Sequence, residues 1–169
     1  ILYDRATYSW PVTDFHDWAD AVDAMGGSDG RWRAVAENNT EASTLVFGGA
    51  HPAQGNGVII PYFKFRLAEA LLEHKLVDKY DRFVVTRTDQ FYPCAFDLDV
   101  LEPSMLWVPY GEDYGGLCDR FLVAPSDLII QALDIMRPVV VHPERYADFV
   151  GNPERLFLRR IAEQNLRRR

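Results

Sequence analysis

The chain has 169 residues, 48% of them hydrophobic, and its 25 acidic and 18 basic side chains leave a formal net charge of −7. That composition excludes a disordered polypeptide, and the length suits one domain, residues 1–169, around one core. No run of about twenty apolar residues is present to span a bilayer, and an acidic body repels polyphosphate backbones, which sets aside general nucleic-acid binding.

In chain order, Ile1-Leu2-Tyr3 reads as a short strand. Phe15, Trp18, Ala19 and Val22 recur at helical spacing, so residues 14–25 form a predicted helix, capped by Thr13 or Asp14 and stopped by Gly26-Gly27. Residues 26–43 are polar and read as a loop or an insertion. Asn38-Asn39-Thr40 within them meets the N-glycosylation pattern, but no signal peptide gives it context. Leu45-Val46-Phe47 reads as a strand, and Gly48 to Gly57 as a loop that is either a plain connection or a lid over a ligand. A helix is predicted over 61–77, with Pro61 in its first turn and Phe63, Leu67, Leu71 and His74 along one face. Its N-terminus would be a natural anion site.

After the turn Asp78 to Asp81 comes a strand, 82–87. Phe83, Val84 and Val85 are apolar on consecutive positions, which suits a strand buried on both faces in a parallel sheet. Thr86-Arg87-Thr88-Asp89-Gln90 follows at its carboxyl end, where open α/β sheets gather ligands. Arg87 and Asp89 there either face a ligand or pair with each other. Asp97-Leu98-Asp99 has the spelling of a metal motif but lies in a loop beyond the strand, and is set aside.

The decapeptide Gly111-Glu112-Asp113-Tyr114-Gly115-Gly116-Leu117-Cys118-Asp119-Arg120 lies between the apolar runs 105–108 and 121–123. Glycines let a ligand or another segment approach the main chain. Carboxylates can hold a divalent cation or sugar hydroxyls, and arginine can fork onto phosphate. The plainer reading is a polar hairpin loop. Ser126 caps a helix through Ile129, Ile130 and Leu133, and Asn152-Pro153-Glu154 opens the last helix, 153–166. Arg159, Arg160 and Arg167 to Arg169 read as a solvated helix end whose cations favour the dipole. Cys94 and Cys118 have no metal-like spacing and default to reduced thiols, and four scattered histidines make no zinc site.

The phrases YDRFVVTRTDQFYP, WVPYGEDYGGLCDRFLV and NPERLFLRRIAEQN together resemble a group of nucleotide-sugar-dependent glycosyltransferases that includes capsule, lipopolysaccharide and viral-glycan transferases. The pattern is Arg-x-Asp after an apolar strand, then Gly-Gly-x-x-Asp-Arg, then a helix opening Asn-x-Glu. It covers residues 57–166 well and 1–56 poorly. It implies an α/β fold, a three-layer Rossmann-like GT-A-type domain with a mixed, mostly parallel sheet. Strand 82–87 would be central, the helices 61–77 and 153–166 would pack on it, and part of the N-terminal unit would be absent or diverged.

By the same resemblance Asp89 is the metal-side carboxylate for Mn²⁺ or Mg²⁺. Arg87, Asp89, Gly115, Gly116 and Arg120 would bind the donor, and Asp119 would be the leading catalytic base with Asp113 and Glu112 behind it. Position 87 holds Arg where the metal-binding motif has Asp, so one metal ligand is missing. The expected function is transfer of a sugar from a nucleoside-diphosphate donor to a glycan or lipid-linked acceptor, in the cytoplasm or peripheral to a membrane. The alternative is a degenerate, non-catalytic nucleotide-sugar or carbohydrate-binding domain. A glycoside hydrolase would need two acids at a set separation, and no such pair stands out.

Overall fold

Antiparallel pairing organises the centre of the molecule. The computed structural model describes residues 6–33, 58–90, 92–149 and 152–168. Strand β1 (Arg82–Thr86) runs against β2 (Phe121–Pro125), with Arg82 opposite Pro125 and Thr86 opposite Phe121. On the other edge of β2, Trp107 and Val123 exchange backbone hydrogen bonds of 2.8 and 2.9 Å. Leu106 in turn donates to the Arg167 carbonyl at 2.9 Å and bridges Arg168 in parallel. Thus β2 is the inner strand, and Leu122, Val123 and Ala124 are buried.

The expected three-layer, mostly parallel sheet is therefore overturned: the described residues form a two-stranded antiparallel sheet, flanked by single bridges. Strand 82–87 is not central. Val84 is 45% exposed while Phe83 and Val85 pack inward, so among the described residues β1 is an edge strand with one covered face. A consecutive apolar run fits a half-buried antiparallel strand as well as a fully buried parallel one when its outer face carries Val. The connection settles the direction. Parallel neighbours need a crossover, usually helical, whereas the described part of 87–120 holds one short 3₁₀ turn, Leu98–Val100.

Five helices complete the described fold: α1 (Ala19–Val22), α2 (Ile59–Glu73), α3 (Ser126–Leu133), α4 (Arg137–Val141) and α5 (Pro153–Glu163). α1 starts later than expected because the Asp17 carboxylate, not Thr13 or Asp14, accepts from the Ala19 amide at 2.9 Å. It continues into a π turn, Asp23–Gly27, which ends at the expected glycine pair. α3 is not capped by Ser126; Pro125 holds the N-cap position, and the Ser126 amide donates to the Asp81 carbonyl at 3.0 Å. α5 does begin on its expected cap, with the Asn152 side chain accepting from the Arg155 amide at 2.9 Å. It stops at Glu163, so Arg159 and Arg160 are helical while Arg167 and Arg168 are not and lie against Leu106. The expected strands at 1–3 and 45–47, the glycosylation pattern and the 48–57 loop lie outside the described residues.

Two apolar clusters share α2 and α5. Tyr62 and Phe65 of α2 and Leu156 of α5 join Val22, Met25 and Val140; Ala68 and Leu71 with Phe157 and Ile161 join β2 and α3. The buried stripe of α2 therefore runs through Tyr62, Phe65, Ala68 and Leu71, about one position round from the expected face. Phe63, on the expected face, is 45% exposed. That rotation places Lys64 inside the molecule.

Candidate functional site

Antiparallel register sets the site. Because Thr86 pairs with Phe121, the next residues outward, Arg87 after β1 and Arg120 before β2, leave the same end of the sheet. α2 lies beside that end, and between them is a cavity of about 290 Å³ lined by Phe63, Lys64 and Leu67 of α2 with Arg87, Asp119 and Arg120. Three expected site residues thus share one cavity, brought together by a hairpin-like pair and not by the carboxyl ends of parallel strands.

Lys64 is the residue that sequence reading missed. It is 6% exposed, and its Nζ lies 3.6 Å from Asp119 Oδ2 and 5.0 Å from the centre of the Phe157 ring. The pair is too long for a hydrogen bond, and Nζ has no hydrogen-bond partner. Burial pulls the Lys64 pKa down, and the Asp119 carboxylate opposes that pull. Asp119 is equally buried, at 6% exposure. An ammonium in this state is costly unless something completes its coordination, because desolvating a charge outweighs one imperfect ion pair. The available signal was a lone lysine on the apolar face of an amphipathic helix, three residues after Pro61 and one before Phe65.

Arg120 sits at a junction. Its guanidinium pairs with the Glu112 carboxylate and lies 5.5 Å from the Tyr114 ring centre. Burial pulls its pKa down, but the Tyr114 hydroxyl and Glu112 outweigh that and raise it. Arg120 also lines a second cavity of about 400 Å³, walled by Tyr92, Phe96, Tyr110 and Phe121, with Glu112 at its edge. Thr86, in the wall of the first cavity, hydrogen-bonds to the Tyr92 hydroxyl, so the two cavities share a partition. Both cysteines are free, Cys94 exposed and Cys118 buried, and both border the second cavity.

The glycine pair has a packing role. A Cβ on Gly116 would lie 2.1 Å from the carbonyl carbon and oxygen of Glu154, a clash with backbone that only glycine avoids. The loop is fastened there by Leu117 N–H to the Glu154 carbonyl at 3.1 Å and by Asn152 Nδ2 to the Tyr114 carbonyl at 3.0 Å. Gly115 and Gly116 thus dock the loop on the first turn of α5, three and four residues before Asp119, and neither lines the two cavities just described. Asp113 is absent from both walls as well. Its carbonyl accepts from the Gly116 amide at 2.7 Å, which makes it a turn residue. Glu154 is brought into the electrostatic neighbourhood of Lys64 and Asp119; burial raises its pKa, and Asp119 adds to the rise.

Asp89 does not join the cavity. Arg87 Nε donates to its Oδ1 at 2.9 Å and a second guanidinium nitrogen engages Oδ2. The fork is the self-pairing alternative noted above, and it lowers the pKa of the exposed Asp89 carboxyl. With both oxygens so engaged, Asp89 is a poor cation ligand. Among the described residues no group of three or more His, Cys, Asp or Glu side chains is placed to hold a metal ion. Also among the described residues, no helix is long and apolar enough to cross a membrane.

No family model, no curated protein and no solved structure matches this chain.

Proposed function

We propose that the cavity between α2 and the sheet end binds the diphosphate of a nucleotide sugar, and that the chain transfers the sugar to an acceptor hydroxyl on a glycan or lipid-linked glycan. The observation that carries this reading is the buried Lys64 ammonium, which borders the cavity without a hydrogen-bond partner. Arg87 and Arg120 line it too; their guanidiniums are held by Asp89 and Glu112, partners that a polyanion would replace with its own oxygens. A ligand oxygen would supply the acceptor that Lys64 lacks.

In the transfer the acceptor oxygen bonds to the anomeric carbon as the bond from that carbon to the diphosphate oxygen breaks. The electron pair leaves with the diphosphate, where Lys64, Arg87 and Arg120 stabilise the developing charge. The acceptor proton goes to Asp119 if the anomeric centre inverts, and to the departing phosphate oxygen if it is retained. The Lys64–Asp119 pairing favours a second reading, in which the chain binds nucleotide sugar without turnover and Asp119 holds Lys64 and donor hydroxyls.

Incubation of the full chain with a panel of UDP- and GDP-sugars and glycan acceptors, with and without Mn²⁺, followed by mass spectrometry, separates these readings. Transfer from one donor, lost in Asp119→Asn while donor binding persists, supports the transferase. Binding without turnover in any combination supports the binding domain. Absence of both removes the proposal.

A further inference from the structure

The second cavity, next to Arg120, differs in chemistry from the first. Its walls are aromatic: Tyr92, Phe96, Tyr110 and Phe121 face a space of about 400 Å³. Three of these rings are unusually open for large apolar side chains, with Tyr92 48%, Phe96 54% and Tyr110 101% exposed. Tyr92 and Phe96 both pack on Phe121, at 5.7 and 5.6 Å between ring centres, and so form a fixed platform. A cluster of exposed rings costs solubility and marks a binding surface more often than a structural need. The polar groups at its rim include Glu112 and Arg120, which neutralise each other in an ion pair.

Resting on the donor reading above, we infer that this cleft is the acceptor subsite and that its occupant is a neutral hexose unit of a glycan. A pyranose ring presents axial C–H groups on one face and hydroxyls around its edge. The C–H face matches the negative face of an aromatic ring, and the edge matches a few oriented donors and acceptors such as Glu112 and Arg120. A mutually neutralised rim suits a neutral polyol. Arg120 belongs to both cavities, so an acceptor hydroxyl seated on the aromatic platform lies beside the group that faces the donor. The Thr86–Tyr92 hydrogen bond holds the partition between them.

Saturation-transfer NMR on the full chain tests this with maltose, cellobiose, lactose and N,N′-diacetylchitobiose as probes, and with UDP and GDP in parallel. Tyr110→Ala and Phe96→Ala are informative because both side chains are exposed, and circular dichroism verifies that each variant folds. The expected result is that at least one disaccharide binds the unaltered chain and binds each variant about tenfold more weakly, a loss of one sizeable contact, while nucleotide binding is unchanged. Two results overturn the inference. One is the absence of any disaccharide signal from the unaltered chain. The other is a matching loss of UDP or GDP binding in the variants, which would assign the rings to a nucleobase. Ring-dependent disaccharide binding in a chain that binds neither nucleotide would leave the saccharide cleft standing and remove the donor reading alone.

Discussion

Replacing Gly116 by alanine tests how the site is held. The added methyl would sit 2.1 Å from the Glu154 carbonyl carbon and oxygen and 2.4 Å from the Arg155 nitrogen. Backbone of a helix first turn cannot yield, so the loop must retreat by about 1.3 Å to reach ordinary contact near 3.4 Å. At that displacement the 3.1 Å bond from Leu117 to Glu154 is lost and the 3.0 Å bond from Asn152 to Tyr114 is stretched past usefulness. Two hydrogen bonds contribute about 1 kcal/mol each, and overpacking adds roughly 1–3 kcal/mol, for a total of about 3–5 kcal/mol. With a urea slope of about 2 kcal/mol/M, the unfolding midpoint falls by roughly 1.5–2.5 M. Equilibrium urea unfolding followed by circular dichroism reads this directly. A midpoint within about 0.3 M of the unaltered chain would refute the reasoning, because the slope would then leave under ~1 kcal/mol for the contact. It would also remove the support that positions Asp119 and Arg120.

Three further outcomes follow from the electrostatics. Lys64→Met strands the buried Asp119 carboxylate and lowers stability by about 3–5 kcal/mol, whereas Lys64→Met with Asp119→Leu recovers most of that loss; urea midpoints of the single and double variants check it. Burial raises the Glu154 pKa, so the native state holds its proton more tightly than the unfolded chain, and the penalty of its charge is present above the folded pKa and absent below 4.5. Glu154→Gln therefore stabilises the chain relative to the unaltered one at pH 7, and the advantage shrinks as the pH falls to about 4, measured by urea unfolding at both values. Arg87→Gln removes the fork on Asp89, and the Asp89 carboxyl pKa climbs back toward 3.8 in a carbon-detected NMR titration.

Legibility from the sequence varied with how local the cause was. The Asn152 cap with its proline and the α2 helix rest on interactions within a few residues, and both were readable to within a few positions at their starts. The location of β1 was readable, but its environment was not. Phe83-Val84-Val85 looks the same on one covered face or two, and only pairing with the distant β2 decides between them. The expectation of a parallel sheet failed there. Arg87, Asp119 and Arg120 converge because β1 ends where the antiparallel β2 begins; parallel strands would place the end of one and the start of the other at opposite ends of the sheet. Asp89 and Asp113 fell away for local reasons, a fork with Arg87 and a turn carbonyl bond to Gly116. Lys64 is hidden from sequence reading because Phe63 and Leu67 mark a different inward face of α2, and a rotation of one position exchanges an exposed lysine for a buried one.

Calorimetric titration of UDP and GDP into the full chain, repeated with Arg87→Gln and with Arg31→Gln as a control remote from the cavity, bears most directly on the Lys64 cavity. The account predicts that one nucleotide binds the unaltered chain, that Arg87→Gln weakens it about tenfold or more through the loss of a charged hydrogen bond, and that Arg31→Gln leaves it unchanged. Failure of both nucleotides to bind, or binding indifferent to Arg87, would contradict it.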